Sequence, residues 1–556
     1  MLKSLKKWLV LHALWFWCAW PAMAQPISDA ELTRRQAQQQ EQAQSRGVNA
    51  PDVFTQPRVE ADGTLVLPQE SPCFPINTVE WRGAEAFDWL PLEAAAVSGK
   101  CIGANGLRAF QDYLTRQFIE RGYLTSRVLI PEQNLASGRL AVQILAGRIG
   151  QIRDQGNRPG LIRMVLPGDT GDLLNQRDLD QALENIRRLG GQYPVEFDLL
   201  PGAKPGETDL LIKHPDAKRW RGLLTLDDSG ADSTGKYQLG GVLSIDSPLH
   251  LYDALTLTLN RNANYSNDTL GTNSSSVNWS VPFGYWHFLL GANQSKYKQT
   301  VAGFGSDIVY SGHSYGMEAG IGYVPYRTSS AKGTIQFKLN RKVSRSRIDD
   351  TEIDVQYRNV VGYDGSFTHR QYLGNITLDL GIGIKGSQPS HSSAPGLIVG
   401  APEWDGRYQI QTANVYLAVP LQLSGQQLRY QGSFRLQRAS TLLPTFEYFS
   451  IGNRYSVRGF DGASTLAAEE GWLLRNDFTW LLGRSGHEVF LGLDMGRVGG
   501  PSADTLLGQS LAGAALGMRG RVSRFNYEIT LGRPLNKPAG FIAEQPTITV
   551  SLGAEF

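Results

Sequence analysis

Pro546-Thr-Ile-Thr-Val-Ser-Leu-Gly-Ala-Glu-Phe556 closes the chain in strict alternation. Ile548, Val550, Leu552, Ala554 and Phe556 fall on one strand face, and Thr547, Thr549, Ser551, Gly553 and Glu555 fall on the other. A soluble sandwich can end this way, but a strand that is apolar outside and polar inside also closes a membrane-spanning barrel. What precedes it decides.

The opposite end favours the membrane. Lys3, Lys6 and Lys7 precede an apolar stretch from Trp8 to Trp20, and Ala22-Met23-Ala24 supplies small residues at the spacing of a signal cleavage site. Residues 1–24 are therefore expected to be an export signal, and no later apolar run is long enough for a membrane helix. Of three cysteines, Cys18 leaves with that signal, so Cys73 and Cys101 remain as an even pair in an oxidising compartment. One disulfide is expected. The formal charge of +2 gives no footprint for nucleic acid.

Residues 25–46 are rich in Gln, Glu, Arg and Ala with almost no apolar stripe, which predicts a polar helix ended by Gly47. Such a helix is either a solvated arm or a plug in a wet channel. Residues 47–71 read as a linker. Two related α/β modules follow, at 72–148 and 149–216. In the first, Leu107, Phe110, Leu114 and Phe118 mark a helix face, followed by strand-like runs Ser126 to Ile130 and Arg139 to Leu145. In the second, Leu179, Leu183, Ile186 and Leu189 mark the helix, followed by Val195 to Leu200 and Thr208 to Lys213.

From 217 to 556 helix signals nearly vanish. Leu255, Leu257 and Leu259 alternate with threonines; Ile335, Phe337 and Leu339 alternate with Gln336 and Lys338; Leu428, Tyr430, Phe434 and Leu436 alternate with Arg429, Gln431, Arg435 and Gln437. At about 20 residues per strand and connection, this length holds about 16 strands, an even number within the range of outer-membrane barrels. The alternation places Lys338, Lys385, Arg429, Arg435, Arg519 and Arg521 on the polar face, as an ordinary wet lumen or as a substrate track.

Covalent chemistry finds little support. Gly230 to Lys236 imitates a phosphate loop, but Tyr237 stands where the metal-binding hydroxyl belongs and no helix follows. Gly381-Ile-Gly383-Ile-Lys-Gly386 satisfies a dinucleotide pattern yet continues an alternating strand. No cofactor, metal site or catalytic group is expected.

Two segments carry more information: Ser456-Val457-Arg458-Gly459-Phe460, and Phe490-Leu-Gly492-Leu-Asp494-Met-Gly496. In the second, Val489, Leu491, Leu493 and Met495 form the apolar face, so Phe490, Gly492, Asp494 and Gly496 point into the lumen. Gly492 and Gly496 leave room beside Asp494 for a loop tip to bring a cation to the carboxylate, and Arg458 is the natural candidate.

At these residues the chain resembles the outer-membrane transporters of two-partner secretion, within the superfamily that includes the barrel-assembly insertases. Val457-Arg458-Gly459-Phe460 matches the family's loop-six motif, and Phe490 with Asp494 and Gly496 matches the wall-strand motif. Gly122 to Gln133 looks like the first polypeptide-transport-associated (POTRA) domain, and Val281-Pro-Phe-Gly-Tyr-Trp286 looks like an early barrel strand.

The resemblance implies a mostly β fold: a 16-stranded transmembrane β-barrel preceded by two periplasmic POTRA domains and an N-terminal plug helix. It implies that Arg458 pairs with Asp494, and that Phe556 is a signal read by the barrel-assembly machinery on insertion. It also implies a large secreted β-helical partner protein, a toxin, haemolysin or adhesin, exported by a monomer without ATP. Sheet edges could capture that partner by strand addition, with Val128 and Ile130 in the first module and Phe197 and Leu199 in the second as candidates. Rival readings are a barrel-assembly insertase, which usually carries more than two such modules, and a passive diffusion channel, which leaves the modules without a purpose.

Overall fold

The computed structural model describes residues 64–556 except 193, 265–269, 303–306, 395–405 and 484. The expected signal segment, the N-terminal helix and the linker as far as residue 63 lie outside those residues. What remains is two small α/β units followed by a closed barrel.

The first unit is a three-stranded sheet in the order Thr78–Arg82, Arg139–Leu145, Arg127–Leu129. Helix α1 (Ala104–Glu120) lays Phe110, Leu114 and Phe118 on it, fully buried, with Leu107 at the margin. Its first residue follows Gly103, which has no side chain to cap the free N–H groups. Glu70 supplies the cap from outside, accepting from the N–H groups of Gly103, Asn105 and Gly106 at 2.8, 2.9 and 2.7 Å. The end of the expected linker is thus part of this unit, and Leu65 and Leu67 also pack on its core. Nearby, Cys73 and Cys101 form the disulfide, with Cα atoms 5.3 Å apart.

Desolvation pushes the Glu70 carboxyl upward, but the three N–H donors outweigh it and hold the pKa below its ordinary value. A lowered folded-state pKa stabilises the fold above the unfolded value, and this stabilisation is lost as pH falls through the folded one. Glu70→Gln should therefore speed amide exchange at Asn105 and Gly106 at neutral pH, and the difference from the parent should shrink as the medium is acidified through the carboxylate range.

The second unit repeats the order strand, helix, strand, strand. Its sheet runs Arg148–Gln155, Glu207–Lys213, Glu196–Pro201, and helix α2 (Gln176–Arg187) buries Leu179, Leu183 and Ile186, with Leu189 just beyond its end. Asn175 caps α2 by accepting the Arg177 N–H at 2.9 Å, and its amide donates to the Arg121 carbonyl at 3.1 Å. One residue therefore ends one helix and starts the next.

Among the described residues, sixteen strands close the barrel: β1 (Trp220–Asp227), β2 (Gln238–Asp246), β3 (Ala254–Asn262), β4 (Gly271–Phe283), β5 (Trp286–Ala302), β6 (Asp307–Arg327), β7 (Ala331–Ile348), β8 (Arg358–Leu373), β9 (Ile376–Ser387), β10 (Gln409–Leu423), β11 (Gln426–Ala439), β12 (Glu470–Leu481), β13 (His487–Gly499), β14 (Ser510–Val522), β15 (Phe525–Asn536) and β16 (Thr547–Glu555). Neighbours are antiparallel, and β16 returns to pair with β1. Closure leaves no sheet edge in lipid, where an unpaired backbone group has no water to meet. Ile335, Phe337, Leu339, Ile548 and Leu552 are exposed on the outer face, as their alternation predicts for a lipid-facing surface. No helix among the described residues is long and apolar enough to cross a membrane.

The two nucleotide-like stretches take ordinary places. Gly230 to Lys236 lies in the turn between β1 and β2, and Gly381 to Gly386 lies within β9. Of Val281 to Trp286, expected as an early strand, Val281–Phe283 end β4 and Trp286 opens β5, while Gly284 and Tyr285 turn the chain between them, with Gly284 left-handed at φ 57°.

That hairpin is where the second unit docks. Asn185 donates to the Gly284 carbonyl at 2.8 Å, Tyr285 donates its hydroxyl to Asp178 at 2.7 Å, and Lys332 reaches Glu184 at 2.8 Å. Tyr252, from the turn between β2 and β3, inserts among Val165, Leu183, Ile186 and Ile212 with no exposed surface. Its hydroxyl meets His214 at 3.2 Å. Tyr252→Ala should loosen this joint by about 3 kcal/mol, the lower range for deleting a buried large aromatic. Limited proteolysis should then release the two α/β units from a barrel that stays intact.

Candidate functional site: the inward loop and its wall

The connection between β11 and β12 is long and turns into the barrel. Its strands Phe449–Ile451 and Leu466–Ala468 pair with each other, and its apolar side chains Phe449, Ile451, Val457, Phe460 and Leu466 form a buried cluster with Val498 and Leu511 of the wall and Phe541. The Phe460 ring meets Phe541 edge to face at 5.7 Å. A loop with its own core is held as a unit, which distinguishes it from a solvated connection.

At its tip Arg458 reaches β13. The Arg458 Nε donates to Asp494 Oδ2 at 2.6 Å, Nη2 donates to Oδ1 at 2.7 Å, and the backbone N–H of Arg458 donates to Oδ2 at 3.0 Å. This is the bidentate geometry that a guanidinium provides and an ammonium does not. Asp494 is 3% exposed. A second carboxylate, Asp477 on β12, pairs with Arg458 Nη1, and Nη2 also donates to the Asn476 carbonyl at 3.2 Å. One guanidinium thus ties the loop to two neighbouring wall strands.

The wall is shaped for this approach by missing side chains. A Cβ on Gly492 would lie 2.5 Å from Arg458 Cζ, one on Gly532 would lie 2.8 Å from Gly459 Cα, and one on Gly513 would strike the Arg458 carbonyl oxygen. Gly492, Gly513 and Gly532 sit on β13, β14 and β15, so a trough crosses three strands beneath the loop. On the loop side, Gly459 has φ +99° with the Arg533 carbonyl against it, a conformation and a closeness that exclude a side chain. Phe490 fills the space above Gly517 and lies between two cations, 5.9 Å from Arg458 and 5.0 Å from Arg519. Gly496 faces Ile451 and Val457.

Val457, Arg458, Gly459 and Phe460 are thereby brought together with Phe490, Gly492, Asp494 and Gly496. Sequence reading missed Asp477 and the glycines of β14 and β15. A signal for Asp477 existed: in β12, Arg475, Asp477 and Thr479 alternate with Leu474, Asn476, Phe478 and Trp480, which puts the acid on the lumen face two residues from Arg475. Arg475 donates to the Tyr455 carbonyl at 2.8 Å and supports the loop from below.

Most basic lumen residues are paired. Arg429 and Arg519 share Glu488, each at 2.9 Å, Arg521 meets Glu555 at 2.8 Å, and Lys338 and Lys385 lie 3.5 and 3.7 Å from Glu318 and Asp364. The Phe556 backbone bonds both ways with Gly222, N–H to carbonyl at 2.9 and 3.3 Å, and its ring is exposed on the outside. Of the expected capture residues, Val128 is buried in the first unit, Ile130 and Phe197 are partly buried, and Leu199 is exposed.

Comparison with known proteins agrees with this architecture. Residues 206–520 match the family described as haemolysin secretion/activation protein ShlB/FhaC/HecB, residues 74–147 match the ShlB-type POTRA domain, and residues 148–201 match a POTRA domain. The chain belongs to the haemolysin secretion/activation family of two-partner secretion transporters: an outer-membrane barrel with POTRA domains in the periplasm. It is 32% identical to the outer membrane transporter CdiB-2 of Burkholderia pseudomallei, over 96% of both chains. It is 27% identical to the hemolysin transporter protein ShlB of Serratia marcescens, over 84% of this chain and 83% of that one. The solved structure of CdiB from Escherichia coli superposes with a TM-score of 0.85 at 25% identity, covering 96% of this chain and all of that one.

Proposed function

We propose that this transporter captures one large secreted protein as an unfolded chain in the periplasm and passes it through the barrel, and that export needs the inward loop both docked on its wall at the start of passage and able to leave that wall for the chain. The observation that carries this reading is the Arg458 junction. A buried ion pair contributes little net stability but fixes position, and a loop so held can be released as a unit. Folding of the partner outside the cell would draw the chain outward without ATP. The partner is proposed to be of the toxin or haemolysin kind; a relative named hemolysin transporter protein, matched over 84% of this chain, supports the second.

Capture is proposed to use the edge strand Glu196–Pro201. The Gly202 N–H donates to the Glu207 carbonyl, so along the paired strands Leu200, Asp198 and Glu196 face the sheet, while the backbones of Phe197 and Leu199 face outward. In the first POTRA domain the corresponding edge is partly occupied, because Gln111 already donates to the Val128 carbonyl at 2.8 Å. Leu199→Pro removes one outward N–H and no ladder bond. Secretion should fall severalfold in this variant, measured as partner protein in the medium, with the barrel level in the outer membrane unchanged. Undiminished secretion would remove this edge from the reading.

A further inference from the structure

The closing strand is longer than its contact with the first strand. β16 runs from Thr547 to Glu555, yet its register with β1 starts only at Ser551 and runs through Glu555 to the Phe556–Gly222 bonds, the shortest between neighbours among the sixteen long strands. On its other side the outer stretch is laddered normally to β15, Thr547 opposite Gly532 and Val550 opposite Ile529. β1 ends at Asp227, so the outer part of β16 passes the point where the first strand stops.

Something other than a strand meets that edge. Asp228 donates its N–H to the Val550 carbonyl at 3.3 Å, and its Oδ1 accepts the Val550 N–H at 3.0 Å. The same carboxylate pairs with Arg454 of the inward loop. Farther out, Thr547 Oγ1 donates to the carbonyl of Gly459, next to Arg458. Both side chains of the Arg454–Asp228 pair are mostly enclosed, 20% and 11% exposed, where a charge-assisted bond is screened little by water.

We propose that Asp228 is a positioning residue for export: it joins the inward loop to the first and last strands, so that the docked loop completes the outer part of the barrel's seam. The loop held by Arg458 and the closed outer seam are then one state. Displacing the loop leaves Asp228 without its cation and Thr547 without the Gly459 carbonyl, and the edge of β16 is opened. This rests on the reading that the loop moves during transport.

The test uses the full chain in outer membranes carrying Thr549→Cys beside the intact Cys73–Cys101 disulfide; Thr549 is a half-buried residue of β16 that lines the cavity beside Arg454. A membrane-impermeant maleimide reports its accessibility, and heat-dependent gel mobility reports a folded barrel. Arg454→Gln and Asp228→Asn break the same contact from opposite sides, so either serves if the other does not fold. Each should raise the labelling rate roughly tenfold, the equivalent of losing one charge-assisted bond. Asp494→Asn, which weakens the loop's other anchor on β13, should raise it too, which a merely local role of Arg454 would not produce. Labelling at the parent rate in Arg454→Gln and Asp228→Asn overturns the proposal, and so does a rise in those two that Asp494→Asn does not share. Failure of the loop-movement reading would show separately, as unchanged export in Arg458→Ala with the labelling pattern intact.

Discussion

Arg458→Ala should lower export of the partner protein at least about tenfold while a folded barrel remains in the outer membrane. The expectation follows from what the substitution leaves behind. Asp494 keeps its buried position and Asp477 remains beside it, so two carboxylates on adjacent strands lose the cation they share. Removing one partner of a buried pair costs about 3–5 kcal/mol, because the enclosed Asp494 loses the cation that bonds both of its oxygens. That cost falls on the docked state of the loop, whereas the barrel ladder that holds β12 to β13 is untouched. Asp494→Asn should act in the same direction and more mildly, since Asp477 still holds one end of the guanidinium. Arg458→Lys should not rescue, because an ammonium cannot bridge both Asp494 oxygens and Asp477 in one plane.

Gly492→Val should be nearly as damaging by a different physical route. The residue is not in a left-handed conformation, and a β-branched side chain suits a strand, so β13 itself accepts the change. Its Cβ, however, would lie 2.5 Å from Cζ, 2.6 Å from Nη2 and 2.7 Å from Nη1 of Arg458, inside the guanidinium. The loop must then stand off the wall with all charges still present. Export should fall by about tenfold or more, as expected when overpacking costs 1–3 kcal/mol at a site that cannot relax. Gly492→Ala should fall in between. Secreted partner protein measured beside barrel abundance checks both, and equal export from Gly492→Val and the parent would mean that the docked position is unimportant.

The fold was legible largely because its lipid-facing surface is written in a period of two. Ile335, Phe337 and Leu339 must be apolar to meet lipid, and the polar residues between them must meet water, so the alternation survives without any tertiary information. The helices α1 and α2 were legible for a similar reason, through Phe110, Leu114 and Phe118 and through Leu179, Leu183 and Ile186. Arg458 and Asp494 were found because the alternation of β13 put one acid on the inner wall beside two glycines. What could not be read was anything that depends on register between distant strands. Gly513 and Gly532 matter because β14 and β15 place them beneath the loop, and nothing local separates them from other strand glycines. Glu70 was hidden likewise: it lies 33 residues before Gly103, within a stretch whose composition reads as linker. Asp228 is an ordinary turn residue until β16 and the loop are both in place.

A double-substitution cycle on export tests the central claim most directly. Partner protein in the medium is measured for the parent, Arg458→Ala, Asp494→Ala and the double variant, each normalised to folded barrel. If the pair acts as one latch, either single change releases the loop and the double variant exports about as much as the worse single one. Losses that multiply, or export at the parent level in either single variant, would contradict it.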